Sequence, residues 1–221
     1  MLRQAVRREL RYEEVLGRWL GQEIQKRFPS AQVVVIPEAD EWGSAEESLR
    51  RELKSDERVA MVWPDIEAEL SALRKAMSDR PNELWPEDPE AMLRLELTVS
   101  AERINRALQQ HSTRPDVLVF FCPLPTDIEK LDLWNQQPRP AVILASGHDA
   151  LSQPHLGELL RKGMIHGVVT RKTGGLRSTE SVPGNLEKAF AERYLWITAE
   201  NPERLPPSVS EEDVKDVTNS F

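Results

Sequence analysis

The sequence predicts an α/β chain, a three-layer sandwich around a mostly parallel sheet of five or six strands. Three observations carry this. Short continuous runs such as Gln32–Ile36 (QVVVI) and Asp116–Cys122 (DVLVFFC) suit strands buried on both faces. Between such runs lie stretches whose apolar residues recur three and four positions apart, the period of amphipathic helices. The two kinds of segment alternate through short loops along most of the 221 residues, which is the pattern of parallel strands joined by right-handed crossovers.

Element by element, Leu2, Val6, Leu10, Val15, Leu16, Trp19, Leu20, Ile24 and Phe28 fit one amphipathic helix that Pro29 stops. The first strand is the run 32–36. Ser44 with Glu47 forms a capping box for a helix through Leu49 and Leu53. Arg58–Trp63 (RVAMVW) is the second strand, and Asp65 caps a helix carrying Ile66, Leu70, Leu73 and Met77. An irregular insertion spans about 78–98, with Pro81, Pro86 and Pro89 among acidic residues and Trp85. Within it Leu93, Leu95, Leu97 and Val99 alternate as in a strand, while Leu93, Leu97, Ile104 and Leu108 equally fit a helix. A helix from about Val99 to His111 follows.

The second half reads as strand Asp116–Cys122, helix Thr126–Gln136 with Asp127 in its first turn, and strand Ala141–Ala145. A helix through His155–Lys162 ends at Gly163, a residue common just past helix ends. Strand Ile165–Thr170, a Gly- and Pro-bearing loop, helix Asn185–Arg193 and a sixth strand Tyr194–Ile197 complete a single domain, 1–201. Residues 202–221, rich in Pro, Ser, Asp and Glu, read as a flexible acidic tail.

Composition excludes several classes. The chain is 39% hydrophobic and 30% charged, a globular balance. No apolar run approaches the roughly 20 residues of a membrane helix. A formal charge of −8 argues against a nucleic-acid partner, which needs clustered Lys and Arg. Lone Cys122 excludes an internal disulfide and a cysteine-rich zinc site, and no metal or other cofactor is expected. The start MLRQAVRREL has no apolar stretch behind it and is not a secretory signal. Taken as a full-length chain it reads as cytoplasmic; with a leader removed, as secreted or periplasmic.

Ligands of open parallel sheets bind beyond the carboxyl ends of the strands, so the loops there define the candidate site. They read Pro37-Glu38-Ala39-Asp40, Pro64-Asp65, Pro123-Leu124-Pro125-Thr126-Asp127, Ser146-Gly147-His148-Asp149 and Arg171-Lys172-Thr173-Gly174-Gly175. None carries a nucleotide-phosphate motif. Carboxylates Glu38, Asp40, Asp65, Asp127 and Asp149 suit cation binding or acid–base work if they converge. Asp65 and Asp127 equally suit helix caps. His148 with Asp149 has the residue types of a general base, although no Gly-x-Ser-x-Gly elbow accompanies them. Lys172, Thr173 and Gly174 belong to a cationic turn able to form an anion nest. The ligand-binding set is therefore Glu38, Asp40, Asp65, Asp127, Ser146, His148, Lys172, Thr173 and Gly174, with no catalytic residue assigned. Cys122 reads as a buried small hydrophobe, His155 and His166 as structural, and Trp42, Trp85 and Trp134 as loop or helix-end aromatics suited to a pocket or interface.

Two family resemblances follow from these segments. GRWLGQEIQKRFPSAQVVVI and the helix–Gly–strand passage LLRKGMIHGVVT resemble a lobe of the periplasmic sugar-binding-protein-like (type I) proteins, and AERYLWITAEN is similar to an ending found in secreted bacterial proteins of this type. This implies a binding-protein-lobe or flavodoxin-like α/β fold and a ligand between two lobes. RPDVLVFFCPLPTD, PAVILASGHDA and LLRKGMIHGVVTRK also resemble the second half of a response-regulator receiver domain. There Ser146 matches the family's hydroxyl and Lys172 its lysine, but Cys122 stands where the phosphoacceptor Asp belongs, which implies an unphosphorylated variant. The favoured expectation is a non-catalytic domain binding a small polar molecule or a protein partner at the strand C-terminal edge. The alternatives are a receiver-like domain acting through dimerisation, hence a homo-oligomer, and a hydrolase using His148 and acidic neighbours.

Overall fold

The computed structural model describes residues 2–37, 43–53, 58–63, 67–81, 83–85, 89–90, 100–111, 114–145, 155–172 and 181–204. In chain order these form α1 (Leu2–Arg27), β1 (Val33–Ile36), α2 (Ser44–Glu52), β2 (Val59–Met61), α3 (Glu67–Asp79), α4 (Ala101–Gln110), β3 (Val117–Phe120), β4 (Ala141–Leu144), α5 (Leu156–Arg161), β5 (Gly167–Arg171), α6 (Leu186–Arg193) and β6 (Tyr194–Ile197). The described strands build one sheet in the order β2-β1-β3-β4-β5-β6. The first five run parallel, and β6 closes the edge antiparallel to β5. The α/β reading of the sequence therefore holds.

Every residue of β1, β3 and β4 is buried, because both faces of the sheet are covered, and continuous apolar runs are what such strands require. Alternate side chains enter two cores. Val33, Val35, Val117, Val119 and Ile143 meet α1, α2 and α6 on one face. Val34, Ile36, Leu118, Phe120, Val142 and Leu144 meet α4, α5 and the segment around Ile128–Leu133 on the other.

Helices α1 and α2 approach very closely. A Cβ on Gly17 would lie 1.9 Å from the carbonyl oxygen of Ala45, and one on Gly21 would lie 2.7 Å from Glu52 Cβ. Further along α1, Trp19 stacks on Phe190 with ring centroids 3.7 Å apart and donates its Nε1–H to Glu187 Oε2 at 3.2 Å. Gly167 leaves room for the Trp196 ring, whose Cη2 would lie 1.9 Å from a Cβ there.

Two expected elements differ in detail. The helix expected over Thr126–Gln136 is a pair of 3₁₀ turns, Ile128–Lys130 and Asp132–Asn135. Leu131, with extended backbone (φ −68°, ψ 128°), separates the two turns, and Trp134 Nε1 donates across the break to the Ile128 carbonyl at 2.6 Å. The cap of α2 is Gly43 in extended conformation (φ −74°, ψ 175°), one residue before Ser44. That shift moves Glu47 out of capping range, and its carboxylate instead accepts from Arg50 Nε and Arg51 Nε, each at 2.9 Å. The expected close of α5 holds: Gly163 has φ +65°, a backbone conformation that favours glycine. Residues 92–98 and 205–221 lie outside the described residues.

Candidate functional site

The strand order fixes where a ligand crevice belongs. The connection from β1 leads to β2 on one side, while β3 lies on the other, so the chain direction across the sheet reverses between β1 and β3. In such sheets the crevice opens outside the carboxyl ends of those two strands. The backbone ladder reaches that edge: Phe121 N donates to Ile36 O at 2.9 Å and Ala145 N to Phe120 O at 2.7 Å. Buried Phe121, Cys122 and Leu124 underlie it, and Cys122 sits in the same core as Ile128 and Leu131, as expected of a small hydrophobe.

Of the nine expected ligand-binding residues, Asp127 and Lys172 are described. Glu38, Asp40, Asp65, Ser146, His148, Thr173 and Gly174, together with Asp149 and Trp42, lie outside the described residues. Asp127 serves a helix terminus, but across the fold rather than in its own segment. Its Oδ1 accepts from Ala101 N, the first residue of α4, at 3.2 Å, and its Oδ2 lies 3.5 Å from Lys130 Nζ. An acid at a helix start satisfies an orphan N–H and the helix dipole together. Lys172 is exposed; its Nζ donates to the Ala191 carbonyl and its backbone N–H to Arg193 O at 2.9 Å. The two residues are thus engaged with different elements, at the ends of β3 and β5.

Beside Lys172 the structure assembles a cluster that the sequence did not reveal. Arg171 ends β5 and pairs in register with Tyr194 of β6, so both side chains stand on one face of the sheet. Glu9 Oε2 of α1 accepts from Arg193 Nη2 at 2.7 Å and Arg171 Nη1 at 3.3 Å. Glu13 lies 3.9 Å from Arg171, and the Arg193 guanidinium sits over the Tyr12 ring at 5.9 Å. Burial, followed by the Glu192 carboxylate, raises the Tyr12 pKa. Burial pushes the Tyr194 hydroxyl up to about 12, the two arginines opposing it, and that hydroxyl has no hydrogen-bond partner among the described residues. The signal in the sequence is the Glu9–Glu13 spacing of four on a helix otherwise basic at its start, but nothing there links it to residues 162 positions away.

The opposite edge of the sheet carries two further concavities. Asn105, Gln109, Arg114, Asp132 and Gln136 rim a cleft of about 310 Å³ floored by Leu108 and Leu133. Its polar groups are largely engaged with each other: Gln109 Nε2 with Asp132 Oδ2 at 2.9 Å, and Arg114 Nε with Gln136 Oε1 at 3.2 Å. A cavity of about 20 Å³, large enough for one water, lies among Ile24, Phe28, Ile143, His166 and Trp196. There the His166 ring meets Phe28 edge-on at 6.0 Å. Desolvation of the packed side of its ring, and then Arg27, holds the pKa of the otherwise exposed His166 below the usual 6.5.

A pH dependence follows. The fold favours neutral imidazole, so the unfolded chain takes up this proton first as pH falls through about 6.5. Stability from this site is flat above that pH and declines below it until the folded state also protonates. His166→Asn is expected to flatten the fall in Tm between pH about 7 and about 5; an unchanged pH profile in the variant would exclude His166 as its source.

No protein-family model matches the chain, and no curated protein does. Solved structures resemble part of it. GanP, a glucose-galactose binding protein from Geobacillus stearothermophilus, aligns at 11% identity and TM-score 0.44, over 72% of this chain and 47% of that one. The XylFII–LytSN complex aligns at 11% identity and TM-score 0.48, over 86% and 60%. AraP, an arabinose binding protein from Geobacillus stearothermophilus, aligns at 11% identity and TM-score 0.42, over 88% and 63%. The chain spans from about half to three-fifths of the length of these structures. Among the described residues no helix is long and apolar enough to cross a membrane, and no group of three His, Cys, Asp or Glu side chains is placed to hold a metal ion.

Proposed function

We propose that this domain binds a small polar ligand, without catalysing its conversion, in the crevice between the carboxyl ends of β1 and β3. The single observation carrying the reading is the strand order, which puts the reversal point there. The composition of the loops supports it: Glu38, Asp40, Asp65, Ser146, His148, Thr173 and Gly174 supply acceptors, hydroxyls and an imidazole for a ligand rich in polar groups, while Asp127 and Lys172 are engaged with Ala101 and Ala191.

Native mass spectrometry of gently purified protein tests this. The expected spectrum shows a reproducible small adduct whose mass names the ligand class. Ser146→Ala combined with His148→Ala should weaken its retention about tenfold or more, the scale of two lost hydrogen bonds. An adduct-free chain that also takes up no monosaccharide, amino acid or dicarboxylate would overturn the reading, as would an adduct unaffected by the double variant.

A further inference from the structure

We infer that this chain associates head to tail with a second copy of itself, the basic N-terminal part of α1 in one protomer receiving the acidic turn around Leu84 of the next. Three large apolar side chains are exposed among the described residues: Val6 (52%), Leu10 (42%) and Leu84 (104%). They divide between two patches of opposite charge. Val6 and Leu10 lie one turn apart on α1, so they share a face. Arg7 and Arg11 form the neighbouring row, exposed and without an ion pair to a described residue. The first eleven residues hold four arginines and one glutamate in a chain of net charge −8, and that glutamate, Glu9, is turned toward Arg171 and Arg193. At the other patch Leu84 is wholly exposed beside Trp85, whose Nε1 is fixed on the Arg80 carbonyl at 3.3 Å. The chain around it is acidic in sequence, with four acids and no base from Glu83 to Glu90, of which Glu83 and Glu90 are described. Glu83 and Glu90 pair with Arg80 and Arg74 at the surface, contacts weak enough to be shared with an incoming guanidinium.

One molecule cannot bring the two patches together. Glu9 of α1 meets Arg171 at the carboxyl end of β5, whereas Phe28, just past the end of α1, meets His166 at the amino end of that strand. The Val6–Leu10 stripe therefore lies at the carboxyl edge of the sheet, in the layer of α2 and α6. Helix α3 starts at that same edge, where Glu69 pairs with Arg103 in the first turn of α4. It runs back about 20 Å over thirteen residues, so the Leu84 turn lies at the amino edge and in the α4 layer. Each chain thus presents two complementary surfaces on opposite ends and opposite faces. Such an interface is heterologous and grows into short chains or a ring. Four apolar side chains per contact make it small, so association is weak, concentration-dependent and salt-sensitive.

Sedimentation velocity on the full chain provides the test. The sedimentation coefficient is expected to rise with concentration and to fall back in about 1 M salt, where the screening length is about 3 Å. Val6→Asp with Leu10→Asp, and separately Leu84→Asp, should each weaken self-association about tenfold or more while leaving Tm unchanged, since these side chains are exposed. Mixed together, the two variants should form a one-to-one heterodimer that grows no further, because each keeps one intact surface. A wild-type chain that stays monomeric overturns the inference, as does association that survives either variant or a mixture that fails to pair. Monomeric protein that binds phosphatidylcholine–phosphatidylserine vesicles through Val6 and Leu10 would assign the stripe to a lipid surface and overturn it too.

Discussion

Gly17→Ala is expected to lower the stability of this protein by about 3 kcal/mol, the upper range for forcing atoms into a packed interior. The added methyl would sit 1.9 Å from the Ala45 carbonyl oxygen and 2.8 Å from both Ala45 C and Leu49 N. All three are backbone atoms of α2, so no rotamer change relieves the clash and the helices must separate. Separation loosens the layer in which Leu16, Leu20, Leu49 and Leu53 are buried, and packing at interior density transmits that strain. Gly21→Ala meets the Glu52 side chain instead, at 2.7 Å from its Cβ, and should cost less. Gly184→Ala provides the control, since no atom of the described residues lies within 4 Å of the added one. Urea unfolding reads the series: the midpoint should drop for Gly17→Ala, fall less for Gly21→Ala and hold or rise for Gly184→Ala, with the slope unchanged. Equal midpoints for all three would mean that α1 and α2 do not pack as described.

What the sequence made legible follows from which forces are local. The apolar runs at Val33–Ile36, Val117–Phe120 and Ala141–Leu144 announce strands covered on both faces, and they are. The i, i+4 pattern of α1 announces one long helix. Register at helix starts was less legible, because Gly43 and Ser44 both tolerate the extended backbone of a cap and the choice between them depends on how α2 meets α1. The apolar spacing of Thr126–Gln136 suits an α-helix, but the extended backbone at buried Leu131 splits the segment into two 3₁₀ turns. Asp127 suits a helix start by residue type and serves one, yet that helix begins 26 residues earlier in the chain. Arg171 stood at the head of a cationic loop, where sequence alone offers it to an anionic ligand. The fold commits its guanidinium to Glu9 and Glu13, a pairing that exists only after α1 has packed under β5.

That pairing leads to the second large effect. Glu9→Gln is expected to destabilise the chain by about 2 kcal/mol, whereas Tyr194→Phe should leave stability unchanged or raise it by up to about 1 kcal/mol. Glu9 is about one-third exposed, but the two guanidiniums it joins are only 18% and 12% exposed. Removing its charge leaves Arg193 shielded from water without its carboxylate, and an uncompensated cation costs more than the intact pair contributes. The discount from the roughly 3–5 kcal/mol of a fully buried pair reflects the exposed side of Glu9. Tyr194 is the converse case. Its hydroxyl is buried without a hydrogen-bond partner among the described residues, so phenylalanine removes a desolvated polar group and keeps the ring 5.5 Å from Phe190. The alkaline limb separates the two roles. Because burial raises the Tyr194 pKa from 10.0 to about 12, the folded state holds this proton longer than the unfolded chain, and stability falls as pH climbs through that interval. Tyr194→Phe should flatten that fall, while Glu9→Gln should lower stability near neutral pH and keep the alkaline slope. If Arg193→Met added to Glu9→Gln costs the full sum of the two single changes, the pair is uncoupled and the cluster does not hold α1 against β5 and α6.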